Sequence, residues 1–399
     1  MKILIVSNTF PPEGTATAGL IANICENMLI KGIQIDALTT SKQVKASSAY
    51  NGISVFYTDS TIEKKESRKN LITAIINKIQ KTCFPSQPVL YKESTVNEIL
   101  KMLIELKAHT YDYVIAVCAY YEMAEAALRY KKRISDELKL ILYQVDPLAE
   151  NLAYASIDST WLIEYEKNLF MQCELVFTTP IIYEQKKKQG WDTRHIIPVE
   201  FPAVVPKDEI IPVMRLRDEI RCVFAGYLYK KIRNPQYTLQ LFSMLDSKIH
   251  LYILGTGNDK LLKKYADGPM KGRLHCMGAL SPEICDQWLS SADVLVNIGN
   301  SVLNQVPSKL FHYISFGKSI LNICKSSECA TRPYMAKYPM GYELIEGKQI
   351  DQKTILDVER WIFEHAKEQV DFSVISKIYA SSTPAYVVDQ MLSSMKKVN

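Results

Sequence analysis

The chain has 399 residues, of which 47% are hydrophobic and 23% charged, and its formal net charge is +5. This length exceeds what one hydrophobic core usually serves, so two domains are expected. The small positive charge gives no indication of a nucleic-acid partner. No apolar run reaches the roughly 18 residues that a membrane-spanning helix needs. The nine cysteines form no Cys-x-x-Cys pair, which argues against a zinc site or a disulfide framework and fits a reducing cytoplasm.

The first half of the chain alternates strand-like and helical segments. "KILIVS" (2–7) is a continuous apolar run, which is typical of a strand buried on both faces. The amphipathic stretch after it has helical spacing and stops at Gly32, and strand-like runs follow at 33–40 and 53–58. Further strands are predicted at 111–118, 139–145 and 175–180. The β-α-β order predicts a parallel sheet covered by helices.

A proline-containing stretch of mixed charge, residues 200–219, is typical of a linker, and a second series of strands follows it. These strands are predicted at 221–226, 249–255, 273–278, 293–299 and 318–323. We therefore expect two Rossmann-like, doubly wound α/β domains that face a cleft, because ligands bind at the carboxyl ends of such strands. The predicted boundaries are 1–205 for the first domain and 215–367 for the second. Residues 368–399 are expected to form a C-terminal helix that crosses back to the first domain.

Five segments keep the order and spacing of a known family. They are "KILIVSNTFPPEGTATAGL" in the first half, and "CVFAGYLYKKIRNP", "LYILGTGND", "LHCMGALSPE" and "VPSKLFHYISFGKSIL" in the second. Together they resemble the family-four group of sugar-nucleotide glycosyltransferases, which have the GT-B fold. The resemblance spans nearly the whole chain, although residues 41–110 match little. It implies transfer of a sugar from a nucleotide-sugar donor, bound by the second domain, to a hydroxyl of an acceptor.

The segment "VPSKLFHYISFG" (306–317) begins a helix at which the resemblance places the donor diphosphate. The first N–H groups of a helix lack partners within the helix and carry a partial positive charge, so an anion is stabilised there. Ser308 can offer its amide, Lys309 adds a full charge, and Pro307 fixes the entry of the helix. The alternative is a plain helix start with a solvated lysine, which this motif alone leaves open.

Two positions depart from the family's pattern of two glutamates separated by seven residues. In register they are Asn304 and His312. The resemblance implies that the first lies by the donor sugar near the reacting bond and that the second binds the ribose. Asn304 carries no negative charge but can bind sugar hydroxyls, and we predict a catalytic role for it. A neutral His312 can accept one hydrogen bond from the ribose. The alternative for His312 is a helix residue that contacts no ligand.

Arg233 is the predicted clamp for the donor diphosphate. "GYLYKKIRNP" places Tyr227 and Ile232 where the family commonly has an arginine and a lysine. Arg233 lies beside a rigid Asn-Pro turn and can hold phosphate oxygens in pairs, although a structural role is the alternative. Gly255 and Gly278 each follow a strand and are predicted to approach the nucleotide, because glycine permits close backbone approach.

The first domain is expected to supply two further site residues. The resemblance implies that Gly14, in "FPPEGTA", approaches the donor phosphates and the acceptor. Asp146, in "YQVDPLAEN", follows a predicted strand and is therefore expected at the carboxyl edge of the sheet. There it could act as a catalytic residue that orients the acceptor hydroxyl or the donor sugar. An aspartate before a proline is equally often a turn former.

The predicted enzyme needs neither a metal nor a cofactor, and its donor is a substrate. The chain has no Asp-x-Asp motif, and positioned hydrogen-bond donors can neutralise a departing diphosphate without a metal. Retention of configuration is implied by the resemblance alone. The alternative function is a non-catalytic nucleotide-sugar-binding protein or an inactive partner subunit, which the two missing glutamates support. A two-domain dehydrogenase is excluded, because no Gly-x-Gly-x-x-Gly follows the first strand.

The expected acceptor is a saccharide or a lipid-linked saccharide, in the assembly of a bacterial surface polysaccharide or glycoconjugate in the cytoplasm. Residues 61–83 mix lysines with isoleucines and leucines at helical spacing. This pattern predicts either an ordinary surface helix or a basic amphipathic helix that contacts an anionic membrane.

Overall fold

The computed structural model divides the chain into two α/β units, the first formed by Met1–Glu200 with Val388–Asn399 and the second by Phe201–Val387. The residues that the structure describes are 1–40, 48–58, 90–149, 151, 157–207, 209–214, 218–228, 230, 232–302, 305–347 and 349–398. The predicted amphipathic helix of residues 61–83 lies outside them. Within the described residues, no helix is long and apolar enough to cross a membrane. The boundary between the two units falls after residue 200, where the predicted linker of residues 200–219 begins. Residues 368–387 belong to the second unit.

In the part of the chain that the structure describes, eight strands form the sheet of the first unit. They are β1 (Lys2–Ser7), β2 (Gln34–Thr39), β3 (Ser48–Tyr50), β4 (Ile53–Tyr57), β5 (Tyr113–Cys118), β6 (Leu140–Gln144), β7 (Leu175–Thr178) and β8 (Ile196–Pro198). Their order is β3-β4-β2-β1-β5-β6-β7-β8, and only β3 runs antiparallel to its neighbour. The helices are α1 (Ala16–Ile30), α2 (Glu93–Glu105), α3 (Glu122–Arg133), α4 (Ser159–Phe170) and α5 (Pro180–Lys188).

The local sequence explains the opening β-α unit. β1 lies in the middle of the sheet, where Ile3 is in register with Ile35 on one side and Tyr113 on the other. A strand with neighbours on both sides and helices on both faces buries its side chains, and in β1 every residue after the exposed Lys2 is buried, which accounts for the apolar run. α1 begins after Thr15, whose hydroxyl oxygen accepts a hydrogen bond from the Ala18 N–H at 3.2 Å.

The described residues of the second unit form six parallel strands in the order β11-β10-β9-β12-β13-β14. They are β9 (Ile220–Ala225), β10 (Ile249–Leu254), β11 (Leu274–Gly278), β12 (Val294–Ile298), β13 (Ser319–Cys324) and β14 (Gly341–Ile345). The helices are α6 (Gln236–Met244), α7 (Asp259–Ala266), α8 (Pro282–Ser290), α9 (Lys309–Ser315), α10 (Arg332–Met335), α11 (Gln352–His365) and α12 (Phe372–Ile378). β9 and β12 are adjacent although they are far apart along the chain, so the strand order reverses between them.

The last helix, α13 (Pro384–Lys397), returns the chain to the first unit. The Tyr113 hydroxyl on β5 donates to the Met395 carbonyl oxygen at 2.8 Å, and the Gln390 amide donates to the Pro198 carbonyl oxygen at 2.8 Å. The predicted return of the C-terminal helix to the first domain is thereby confirmed. Helix α11, which lies earlier in the chain, belongs to the second unit, because side chains such as Val358 lie in the core of that unit.

Candidate functional site

The predicted donor-binding residues of the second unit lie around the point where its strand order reverses. Gly226 follows β9 and Asn300 lies just beyond β12, so the two residues border the crevice between these strands. The Arg233 guanidinium donates to Asn300 Oδ1 from Nη2 at 2.8 Å and from Nε at 3.1 Å. This pair of hydrogen bonds links the chain after β9 to the chain after β12.

Lys309 reaches the same point from the start of α9. A Cβ added to Gly226 would lie 3.3 Å from Arg233 Nη1 and 3.5 Å from Lys309 Cε, so both cationic side chains lie at the end of β9. Burial, together with the positive charge of Arg233, lowers the pKa of the Lys309 amine from its ordinary value. Two cations held this close repel each other, and a bound polyanion would relieve that repulsion.

A buried tyrosine holds α9 in this position. The Ala225 N–H donates to the Tyr313 hydroxyl oxygen at 2.6 Å, and the hydroxyl lies 3.2 Å from the Ala225 carbonyl oxygen, to which it donates. Tyr313 and Lys309 are four residues apart and share one face of the helix, so fixing one fixes the other. Ser308 occupies the cap position before the helix and is partly exposed. The role of Tyr313 could not be predicted from the sequence, because a tyrosine on an amphipathic helix is typical of an ordinary core residue.

The structure gives Gly255 a packing explanation. A Cβ at Gly255 would lie 1.9 Å from the Gly226 carbonyl oxygen, and its φ of +143° also disfavours a side chain. The loops after β9 and β10 therefore touch through backbone atoms, whether or not a nucleotide is bound. The Gly255 N–H donates to the Gly278 carbonyl oxygen at 2.7 Å, which places Gly278 at the same edge of the sheet. The predicted approach of both glycines to the nucleotide stays a prediction.

His312 makes a contact that the sequence analysis did not foresee. Its Nε2 lies 2.7 Å from Asp286 Oδ1 on α8, and the other oxygen of that carboxylate lies 2.8 Å from Lys207 Nζ. Burial, with the charges of Lys207 and Lys309, lowers the pKa of His312 despite the hydrogen bond to Asp286. In the neutral imidazole the Nε2–H donates to Asp286, and this leaves the lone pair on Nδ1. His312 therefore keeps one acceptor atom, as its predicted bond to a ribose hydroxyl requires.

The two predicted site residues of the first unit lie at the carboxyl edge of its own sheet. Gly14 is exposed and lies between β1 and α1. Asp146 is partly buried and follows β6. Asn304, for which a catalytic role is predicted, lies outside the described residues. The roles of these three residues stay predictions.

A buried charge cluster, which the sequence did not indicate, supports the loop that carries Asp146. The Glu166 carboxylate on α4 forms an ion pair with Lys186 on α5, and both side chains are completely buried. The same carboxylate accepts hydrogen bonds from the Gln144 amide at the end of β6 and from the Leu148 N–H at 3.2 Å. Residues 144 and 148 flank Asp146, so Glu166 fixes both sides of this loop. No signal in the sequence separated Glu166 from Glu164, the other glutamate of its helix.

No protein-family model matches the chain, and no curated protein sequence is significantly similar to it. Solved structures, however, match it over its whole length. The lipopolysaccharide outer core galactosyltransferase WaaB superposes with a TM-score of 0.62 at 14% sequence identity, covering 100% of this chain and 99% of the other. HepE from Anabaena in complex with UDP gives 0.60 at 11% identity and covers 100% of both chains.

The fold is shared by proteins of different activity. The UDP-GlcNAc 2-epimerase from Neisseria meningitidis, bound to UDP-GlcNAc, also covers 100% of both chains, with a TM-score of 0.58 at 10% identity. At these identities the likeness establishes the fold and leaves the reaction to the residues of the site. The predicted fold class is confirmed: the chain has the GT-B fold, with two Rossmann-like α/β units and a C-terminal helix that returns to the first.

Proposed function

We propose that the chain is a glycosyltransferase that moves a sugar from a nucleotide-sugar donor to a hydroxyl of an acceptor. The observation that carries this proposal is the meeting of Arg233 and Lys309 at Gly226, in the crevice where a doubly wound sheet binds its ligand. Two cations at the carboxyl edge of the second sheet suit the diphosphate of a nucleotide sugar. HepE, which has the same fold, is known in complexes with UDP and with UDP-glucose. We therefore choose uridine diphosphate sugars as the first donors to test.

In the proposed mechanism, the second unit stabilises the leaving group. When the bond between the sugar and the diphosphate breaks, negative charge grows on the phosphate oxygens. Arg233 can take two of these oxygens in its planar fork, and Lys309 contributes a compact charge. One charge-assisted contact contributes roughly 1.5–3 kcal/mol. We propose that these groups and the first amides of α9 act without a metal ion, and that configuration is retained, as the resemblance implies.

The acceptor is proposed to be a saccharide or a lipid-linked saccharide in surface polysaccharide synthesis. WaaB and WaaG, whose names place them in lipopolysaccharide biosynthesis, share the fold and support this direction. We propose that Asp146 orients the acceptor hydroxyl or the donor sugar and that Asn304 contacts the donor sugar. A cytoplasmic location and a peripheral membrane contact through residues 61–83 belong to the same proposal.

The test is binding and turnover of UDP-glucose, UDP-galactose and UDP-N-acetylglucosamine by the full chain. Lys309→Ala is expected to weaken donor binding and also to lower kcat, because the missing charge acts on an oxygen that gains charge in the transition state. A loss of roughly ten- to a hundredfold corresponds to one charge-assisted contact. Lys264→Ala, at an exposed lysine of the same unit, is the control and should change neither quantity. Equal donor binding by wild type and Lys309→Ala would contradict the proposed site.

A second candidate function follows from the two positions at which the family has glutamates. Because Asn304 and His312 replace them, the chain could bind a nucleotide sugar without transferring it. Epimerases share the fold, so a third possibility is isomerisation of the sugar of such a donor. Mass spectrometry of the products separates these outcomes: a glycosylated acceptor supports transfer, an isomerised sugar supports epimerisation, and unchanged donor bound with micromolar affinity supports a binding protein.

A further inference from the structure

Three potential metal ligands meet at the amino-terminal edge of the second sheet, at the opposite ends of the strands from the proposed donor site. Glu219 immediately precedes β9, His250 is the second residue of β10, and His275 is the second residue of β11. Because these three strands are neighbours in the sheet, their first residues lie side by side. One ligand atom from each of the three residues lies within 4.8 Å of the other two.

The register of the strands puts all three side chains on one face of the sheet. His250 is in register with Arg221, and Tyr252 with His275, so these four residues face the same side. Glu219 lies two residues before Arg221 and shares that side. The opposite face holds Leu251 and other residues of the hydrophobic core. The cluster is therefore separate from the core and is covered by its own aromatic residues.

The distances within the cluster are close to those of a tetrahedral metal centre. His250 Nδ1 lies 2.9 Å from Glu219 Oε2 and 3.1 Å from His275 Nε2. Around a zinc ion with bonds of about 2.0–2.1 Å, neighbouring ligand atoms are about 3.3 Å apart. The third pair, Glu219 and His275, has ligand atoms within 4.8 Å of each other, so side-chain rotations without a change of the backbone would bring the three atoms around one ion. Two imidazoles and one carboxylate are ligands that zinc prefers, whereas magnesium and calcium prefer oxygen ligands alone.

Neighbouring side chains already orient the ligands. The Tyr252 hydroxyl donates to Glu219 Oε1 at 2.6 Å, which turns the other carboxylate oxygen, Oε2, toward His250. The Tyr252 ring also stacks on the His275 ring, with 4.3 Å between the ring centroids. Outer-sphere contacts of this kind fix the ligand geometry in known zinc sites. Glu219 is buried, whereas His250 and His275 are partly exposed and leave a path from solvent.

Arg221 is the positive side chain that the described residues place beside the cluster, and its hydrogen bonds hold it away from the ligand atoms. The Arg221 guanidinium donates to Ser291 Oγ at 2.8 Å and lies over the Trp288 ring, 5.0 Å from its centroid. Its contact with Glu219 is longer, 3.4 Å, and uses Oε1, the oxygen already bound by Tyr252. Arg221 therefore reduces the attraction for a cation without occupying a ligand atom.

We propose that Glu219, His250 and His275 bind a zinc ion, with water as the fourth ligand, and that the ion joins the first residues of β9, β10 and β11. Because the ion would link three neighbouring strands, we expect it to stabilise the second unit, at the opposite edge of the sheet from the proposed sugar transfer. The proposal does not depend on the proposed function, because it concerns stability and metal content rather than turnover.

The experiment measures zinc binding to the full-length, untagged chain by equilibrium dialysis and calorimetry. The chain carries Cys276→Ser, because Cys276 is exposed and adjacent to His275 in the sequence. We expect one zinc ion per chain, a higher thermal midpoint with Zn²⁺ than with Mg²⁺, and visible absorption typical of a tetrahedral site with Co²⁺. His250→Ala and His275→Ala are expected to lose at least a hundredfold in zinc affinity. Tyr252→Phe should lose about ten- to a hundredfold, as outer-sphere changes do.

A matched control uses a histidine of the same unit outside the cluster. His365 lies at the end of α11, and His365→Ala should bind zinc as tightly as the parent chain. If His250→Ala and His275→Ala also keep the parent's affinity, or if the parent binds no zinc at micromolar concentration, the proposal is overturned. Circular dichroism of each variant shows whether it is folded. Glu219→Gln is a third variant at a buried ligand; if it does not fold, the variants of the two partly exposed histidines still test the proposal.

Discussion

At the scale of single residues, His312 shows how its surroundings decide its charge. Asp286 contacts its ring, and Lys207 and Lys309 lie close by. Because burial and these lysines lower the pKa of His312, the unfolded chain takes up a proton at this position more readily than the folded chain. Folding stability linked to His312 is therefore fully present above the ordinary pKa of about 6.5 and is lost as the pH falls below it.

This linkage predicts the behaviour of His312→Gln, which keeps an N–H group for Asp286 but does not titrate. The free energy of unfolding of the wild type should decrease more between pH 7.5 and pH 5.5 than that of the variant. Asp286 contributes little in this range, because its pKa is lowered and it stays ionised. Urea unfolding at several pH values measures the difference. Identical pH dependence in both proteins would show that His312 keeps an ordinary pKa in the folded state.

The buried pair of Glu166 and Lys186 gives a second prediction at this scale. Lys186→Met removes the cation and leaves a buried carboxylate without its counter-charge, which should cost about 3–5 kcal/mol of stability. Adding Glu166→Gln removes the uncompensated charge and keeps an acceptor oxygen for the Gln144 amide and the Leu148 N–H. The double variant should therefore be more stable than Lys186→Met alone in urea unfolding. A double variant that is less stable than the single one would mean that hydrogen bonds to the carboxylate outweigh its charge.

At the scale of elements, the attachment of α9 to β9 is expected to control donor binding. Tyr313→Phe removes the hydroxyl that pairs with both the N–H and the carbonyl oxygen of Ala225, at a cost of about 1–3 kcal/mol. We expect UDP binding to weaken as well, because α9 carries Lys309. Tyr338→Phe is the matched control: this buried tyrosine donates at 2.6 Å to the Lys318 carbonyl oxygen, which lies after the last residue of α9 and not at the end that carries Lys309. Calorimetry with UDP should show weaker binding in Tyr313→Phe only, and equal affinities would separate α9 from the donor site.

The elements that the sequence predicted are those whose pattern is local. β1, β9 and β12 are central strands, so each is a largely apolar run that stands out from its surroundings, although β9 contains the buried Arg221 and β12 the buried Asn297. β8 and β14 lie at the edges of their sheets. β8 is three residues long and ends in a proline, and β14 is half exposed, so neither shows that pattern and both were missed.

The candidate site divides in the same way. Arg233 and Lys309 could be proposed from motifs within a short stretch of chain. The pairing of His312 with Asp286 could not, because the partners are 26 residues apart and meet only when α8 and α9 pack. The same holds for Glu219, His250 and His275, whose spacing matches no metal-binding motif and which the strand register alone brings together. The absence of a zinc site was predicted from the spacing of cysteines and histidines along the chain. That spacing does not show which residues of neighbouring strands lie side by side.

At the scale of the whole molecule, the unit boundaries change which fragment should fold alone. The second unit includes residues before 215, since the Val205 N–H donates to Ser315 Oγ at 3.1 Å and the Ala203 N–H donates to the Ser382 carbonyl oxygen at 3.1 Å. A fragment of residues 201–383 should therefore unfold cooperatively and bind UDP. The fragment 215–367, which follows the boundaries predicted from the sequence, lacks these contacts.

Thermal unfolding and UDP calorimetry on both fragments test this prediction. We expect 201–383 to have the higher midpoint and, if Gly14 approaches the donor phosphates as predicted, to bind UDP more weakly than the full chain. If 201–383 is folded but binds no UDP while the full chain does, the donor site is not contained in the second unit. If 215–367 is equally stable, the segment before residue 215 is not part of the folded core of that unit.

The return of α13 to the first unit has a consequence for the order in which the protein is made. The first unit is assembled from two separate parts of the chain, and residues 388–398 are synthesised only after the whole of the second unit. Until then the first unit lacks the apolar side chains of Val388 and Met391, which are completely buried in the finished protein. The second unit is continuous in the chain, so its folding does not depend on a later segment. The first unit is synthesised first, but we expect it to complete its hydrophobic core only after residues 388–398 have been added.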